Sequence, residues 1–301
     1  GTGVHLFFLL SGFGLGLSGS YLKVGAFFRR RLTKVWLPYV FALTISLLSA
    51  IIFHLFPDSF EAWLAGAGMY QMFSERYIES FGGHFWFVSA ILQFYIAFPA
   101  LLWLKRRLGN RNFFLTALAL SVVWWLIVYT AGKSHLRTWN SFFLQFLWEF
   151  ALGMVLADSY KGGRLQLSCI RKWWWLSLPA GLLFTGAMIV MVLKMGDAGK
   201  VFNDIPALGG YAAFCLFAYE CSKRFFPFIL RFFLWVSGFS YSLYLVHVLV
   251  LEAYLQWAGR EGMHVNVRVL LPFVVLALFA GWAFEPLSKR WTGLFESKRP
   301  A

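Results

Sequence analysis

Three consecutive arginines, Arg29, Arg30 and Arg31, are followed by Lys34 and lie between two apolar stretches. Guanidinium groups keep their charge and present planar forks of donors that match phosphate oxygens. Such a cluster beside a membrane has two uses. It can clamp anionic headgroups, each basic residue contributing about 1 kcal/mol. It can also hold a phosphate-bearing ligand on the cytoplasmic side. A second set of candidates lies inside or beside apolar stretches: His5, His84, His247 and Glu149. An ionisable group in such surroundings must pair, lose its charge or line a water-filled path.

The elements that carry these residues are set by composition. The chain has 301 residues, of which 60% are hydrophobic and only 13% charged. Soluble domains carry about 25% charged residues, so the natural solvent for so much apolar surface is lipid. Nine apolar segments are expected, at 3–18, 35–56, 85–104, 112–130, 141–158, 173–193, 205–221, 232–254 and 267–287. The first and fifth are short for a span of about 20 residues. The expectation is an all-α polytopic transmembrane bundle, residues 1–301 forming one membrane domain. Pro57 to Gly83 is mildly amphipathic and is expected to lie in the interface or to re-enter.

Placing the arginine loop in the cytoplasm puts 20 of the 27 Lys and Arg residues inside. The positive-inside rule favours that orientation. It also accounts for the net charge of +14 without nucleic acid. Gly1 then lies outside, so a further helix before it is expected, giving ten spans with both ends in the cytoplasm. Cys169, Cys215 and Cys221 lack metal-ligand spacing, and neither a disulfide frame nor a metal is expected.

Five strings sharpen the reading. They are VHLFFLLSGF with FFRRRLTKVWLPY, GGHFWFVSAILQFYIAFP (Gly82 to Pro99), WEFALGM (Trp148 to Met154), GFSYSLYLVH (Gly238 to His247) and AFEPLSKRW with Glu285 and Pro286. In this order they resemble acyltransferase family 3, the bacterial membrane O-acyltransferases, over nearly the whole chain. The resemblance implies transfer of an acyl group, by default acetyl, from cytoplasmic acyl-CoA to a hydroxyl of a carbohydrate or cell-surface glycan. It implies the bacterial inner (plasma) membrane as location and membrane lipid as surroundings. It assigns Arg29, Arg30, Arg31 and Lys34 to CoA. Lys stands where the family has a second Arg, a change that matters at a bidentate site.

The family's catalytic histidine belongs to a helix expected before Gly1, so the catalytic base is unknown. His5, where the family commonly has Asp, is a candidate, as is Glu149, expected to meet that earlier histidine. His84, Trp86, Ser89 and Gln93, with Tyr241, Tyr244 and His247, are candidates for binding the acceptor. Trp86, Ser89 and Gln93 share a helical face, and Ser237, Ser240, Tyr241, Tyr244 and His247 form a polar stripe. Hydrogen bonds between helices are the plainer use of both sets. Glu285 has the arginines or Lys289 as partner, whereas Glu220 and Glu252 are expected to reach water at helix ends. Gly12 and Gly16 suit close helix packing, expected against the earlier helix, or passage of a pantetheine arm. Other classes remain: an exporter of an anionic solute with the arginines as its gate, or an inactive relative. Against the exporter, no inverted repeat is visible.

Overall fold

The computed structural model describes residues 3–18, 24–56, 60–164, 171–257 and 267–295, and these are helical throughout their regular parts. Two compact units divide the chain. One holds residues 1–24 and 93–230, the other 25–92 and 231–301.

In the first unit, α1 (Val4–Ser18) packs along α7 (Leu147–Lys161). Glycines make this contact possible. A Cβ on Gly12 would lie 2.0 Å from the Phe150 carbonyl oxygen, and one on Gly153 would lie 2.1 Å from that of Leu9. A Cβ on Gly16 would meet the Ala157 Cβ at 2.5 Å. Gly12 and Gly16 therefore serve packing, and their partner is α7. Between these helices in sequence comes α5 (Trp86–Thr130), which carries two expected segments and breaks at Gly109 (φ 72°, ψ 168°), a conformation reserved for glycine. Gln93 Oε1 accepts from the Phe143 N–H, and Trp125 Nε1 donates to the Gln145 carbonyl. An unbroken helix would hold Gln93 and Trp125 about 48 Å apart, so the chain reverses at Gly109. A single turn, α6 (Arg137–Asn140), and a 3₁₀ turn, Phe143–Phe146, lead into α7. The unit is completed by α8 (Ser177–Met195), α9 (Asp197–Phe202) and α10 (Asp204–Phe225). Trp125, Val128, Trp148, Val201 and Leu208 form a buried apolar cluster here.

The second unit begins with α2 (Val24–Arg31), a π-helical turn (Leu32–Trp36) and α3 (Leu37–Phe53), which run on without interruption. Pro38 has no N–H to donate into the preceding turn, and just before it the Leu37 N–H bonds to Leu32 O, five residues back. Then come α4 (Phe60–Ala67) and two 3₁₀ turns, Tyr70–Phe73 and Ser80–Gly82. The eighth apolar segment is not one helix: α11 (Pro227–Ser237) and α12 (Ser240–Trp257) meet at a bend of 81°. Finally α13 (Val267–Gly293) packs on α12, where a Cβ on Gly281 would lie 2.7 Å from Leu243 Cα.

Among the described residues, five helices are long and apolar enough to cross a bilayer, or six if the bent pair is one span. Each expected apolar segment falls on helix, but not each on its own unbroken span. The fifth is extended by the turns before α7, and the 15-residue α1 is shorter than a span. The chain is an integral membrane protein of polytopic all-α architecture.

Candidate active site

The basic run lies on the continuous helix of the second unit. Arg29 and Arg30 are exposed, Arg31 is half-buried with its guanidinium 5.7 Å from the Phe27 ring centre, and Lys34 is exposed within the π turn. Arg30 and Arg31 stand four and three residues before Lys34 on the continuous helix, within about one turn of it. Lys34 also borders a cavity of about 370 Å³. Its walls include Lys289, Ser237, Ser240, Tyr241 and Ser288, a lining of hydroxyls and two ammonium groups. Glu285 lies in the same wall, accepting from Ser242 Oγ at 2.6 Å and pairing with Lys289 Nζ at 3.0 Å. Its cation is therefore Lys289.

The break before α12 divides the expected polar stripe. Ser237 ends α11, and only Ser240, Tyr241, Tyr244 and His247 belong to α12. Tyr241 donates to the Val35 carbonyl at 2.8 Å, tying α12 to the π turn. Tyr244 donates to the His84 carbonyl. The His84 and His247 rings have centroids 5.0 Å apart, and His247 Nδ1 lies 2.7 Å from the Tyr244 carbonyl. His84 is presented by a turn in which Phe81, Gly82 and Gly83 all have positive φ. A Cβ on Gly82 would lie 2.2 Å from Val248 Cγ1, so glycine is required there twice over. His84 Nε2 lies 3.4 Å from the Leu245 carbonyl, and buried Nδ1 has no hydrogen-bond partner among the described residues. Burial above all, with His247 adding to it, lowers the His84 pKa to about 3. The ring is neutral at neutral pH, a state in which it can accept or donate a proton bond.

Ser89 and Trp86 are buried near this turn. Gln71 Nε2 donates to Ser89 Oγ at 2.8 Å and to Tyr39 OH at 3.3 Å. That buried amide fixes the turn Tyr70–Phe73 against α3 and α5. Ser89 and Gln93 thus have partners within the fold, the plainer use of such polar residues.

The first unit buries its ionisable groups more deeply. His5 Nδ1 lies 2.7 Å from Glu149 Oε1, and Nε2 lies 3.9 Å from Asp204 Oδ1. The partner of Glu149 is His5. Phe146 packs edge-on against the imidazole at 5.5 Å. Both ring nitrogens face carboxylates, so in this arrangement neither points at an acceptor hydroxyl. Asp204 and its donor Gln145, 2.8 Å away, escaped the sequence reading. Asp204 stands one residue before the seventh apolar segment, and that position was the available signal. Glu220 is buried, not at water: Arg171 holds it at 2.6 Å and Arg224 at 3.4 Å. Lys105, also buried, pairs with Asp158 at 2.8 Å. Cys215 and Cys221 are free thiols, whereas Cys169 lies outside the described residues.

Long apolar helices enclosing histidines and carboxylates, with a basic run beside a hydroxyl-lined cavity, define a membrane protein equipped for polar chemistry. The model of an acyltransferase domain, that of the acyltransferase 3 family, matches residues 1–285, and the chain belongs to this family. No curated relative and no solved structure matches it. Acyl transfer is accordingly its chemistry.

Proposed function

We propose that the protein moves an acyl group, acetyl in the simplest case, from cytoplasmic acyl-CoA to a hydroxyl of a carbohydrate or cell-surface glycan at the bacterial inner membrane. The observation that carries this reading is Lys34. It lies within about one turn of Arg30 and Arg31 on the continuous helix and also borders the cavity that Lys289 and several hydroxyls line. Charged forks outside and hydroxyls within suit a ligand with phosphates at one end and amides along its arm. Positive-inside counting puts this run on the cytoplasmic face, where acyl-CoA is made available.

In the reaction the acceptor oxygen attacks the thioester carbonyl and loses its proton, while the C–S bond breaks and CoA leaves as the thiol. His84, held neutral, and its neighbours His247 and Tyr244 are offered to the acceptor, with Trp86 and Tyr241 close along the chain. The donor half of the proposal is tested by replacing Arg30 and Arg31 with Ala in the full chain and measuring acyl-CoA binding. Loss of charged hydrogen bonds at about 1.5–3 kcal/mol each weakens binding by about tenfold or more. Unchanged affinity would remove the arginines from the donor site.

A further inference from the structure

We propose that His5, Glu149 and Asp204 form a binding site for a divalent cation of the zinc or manganese type. The three residues stand in the first turns of α1, α7 and α10. One ligand atom from each lies within 4.8 Å of the other two. His5 is 4% exposed, Asp204 1% and Glu149 0%.

Charge balance separates this cluster from the other buried charges of its unit. Glu220 has two arginines, and Lys105 has Asp158. Glu149 and Asp204 have, among the described residues, one ion-pair partner between them, the His5 ring. A single imidazolium supplies one positive charge against two carboxylates. A divalent cation balances both while the imidazole stays neutral, the state in which it ligates.

Unserved oxygens give the second, independent observation. Glu149 Oε2 is buried and accepts no hydrogen bond among the described residues. The same is true of Gln145 Oε1, whose amide nitrogen donates to Asp204 Oδ2 at 2.8 Å and to the Val201 carbonyl at 2.7 Å. Leaving such a buried acceptor unmet is costly. A cation among the three side chains meets the Glu149 oxygen directly.

The dimensions are suitable. Ligands about 2.0–2.2 Å from a tetrahedral ion lie about 3.3 Å from one another. His5 Nε2 and Asp204 Oδ1, at 3.9 Å, need to approach by less than an ångström, and no pair of the three ligand atoms, all within 4.8 Å, by more than about 1.5 Å. Glu149 brings its free oxygen, and imidazole with carboxylates is a donor set for zinc or manganese. Spacing along the chain could not reveal the site, because each ligand comes from a different helix.

The test uses the full chain in detergent, stripped with a chelator and reloaded with Zn²⁺ alone. The expected result is about one ion per chain by elemental analysis, with a rise in Tm on loading. Asp204→Asn and Glu149→Gln should each weaken Zn²⁺ binding by about tenfold or more. Zn²⁺ affinity equal to the parent in either folded variant overturns the proposal. If neither variant folds, the parent loaded with Co²⁺ decides. A visible ligand-field band reversed by chelator supports the site, and its absence overturns it. None of these readings depends on acyl transfer, so failure here leaves the donor site standing and the converse also holds.

Discussion

The α1–α7 seam and the basic run before α3 handle charge in opposite ways. In the seam, glycines bring two backbones so close that His5 and Glu149 are sealed from solvent and oriented by their surroundings. Beside α3, Arg29, Arg30 and Lys34 stand exposed on a single helix. Burial converts a charge into a structural commitment, because removing its partner leaves the other group stranded in low dielectric. Exposure leaves a charge available to a ligand and worth little to the fold. The first region should therefore answer mutation in stability and the second in binding.

The largest effect expected is on the seam's ion pair. Glu149→Ala should destabilise the protein by about 3–5 kcal/mol, because the buried His5 Nδ1 loses the carboxylate that it faces. Thermal unfolding in detergent measures it, and a loss below about 1 kcal/mol would mean that the pair behaves like a surface one. Gly153→Leu comes next, at about 3 kcal/mol, since its side chain would occupy the place of the Leu9 carbonyl. Gly14, on the same α1 but with nothing within 4 Å of its would-be Cβ, is the contrast. Gly14→Ala should raise stability by up to about 1 kcal/mol through helix propensity.

The basic run should show the reverse pattern. Lys34→Arg restores a planar fork and should tighten acyl-CoA binding by about tenfold at most, roughly 1.4 kcal/mol, with Tm unchanged. A Tm shift without a change in affinity would make Lys34 a packing residue. Smallest at neutral pH is the contribution of His84. Its folded pKa of about 3 lies below the ordinary 6.5, so the stability it confers is complete above 6.5 and is lost as pH falls towards 3. His84→Phe should flatten that part of the pH–stability curve, and an unaltered curve would mean that another group carries it.

Much of the architecture is legible in apolar run length, because a bilayer demands long helices and little else. The breaks are less so. Gly109 and Gly238 punctuate the sequence no more loudly than Gly14, which sits in an ordinary helix. Only tertiary contact reveals that the chain reverses at one and bends at the other. At the sites, the rule that an intramembrane carboxylate needs a partner correctly singled out Glu149, but it could not name His5, 144 residues away. Gln145 and Asp204 look like loop and helix-cap residues until the fold brings Gln145 to Asp204 and Asp204 to the His5 imidazole. The arginines needed no such help, because neighbours along the chain are neighbours on a helix.

The wide turn from Leu32 to Trp36 has a consequence for how this region can vary. A π turn holds one residue more than the α turn it interrupts, and each residue of a helix accounts for about 100° of rotation. Deleting any one residue between Leu32 and Trp36 would let the turn relax to ordinary helix, with the hydrophobic face of α3 untouched. The arginines would keep nearly the same bearing around the axis, because the wide turn and the α turn that replaces it each complete about one revolution. The wide turn absorbs the extra residue, so this helix can gain or lose one residue there without re-aiming the basic groups relative to its membrane-spanning part.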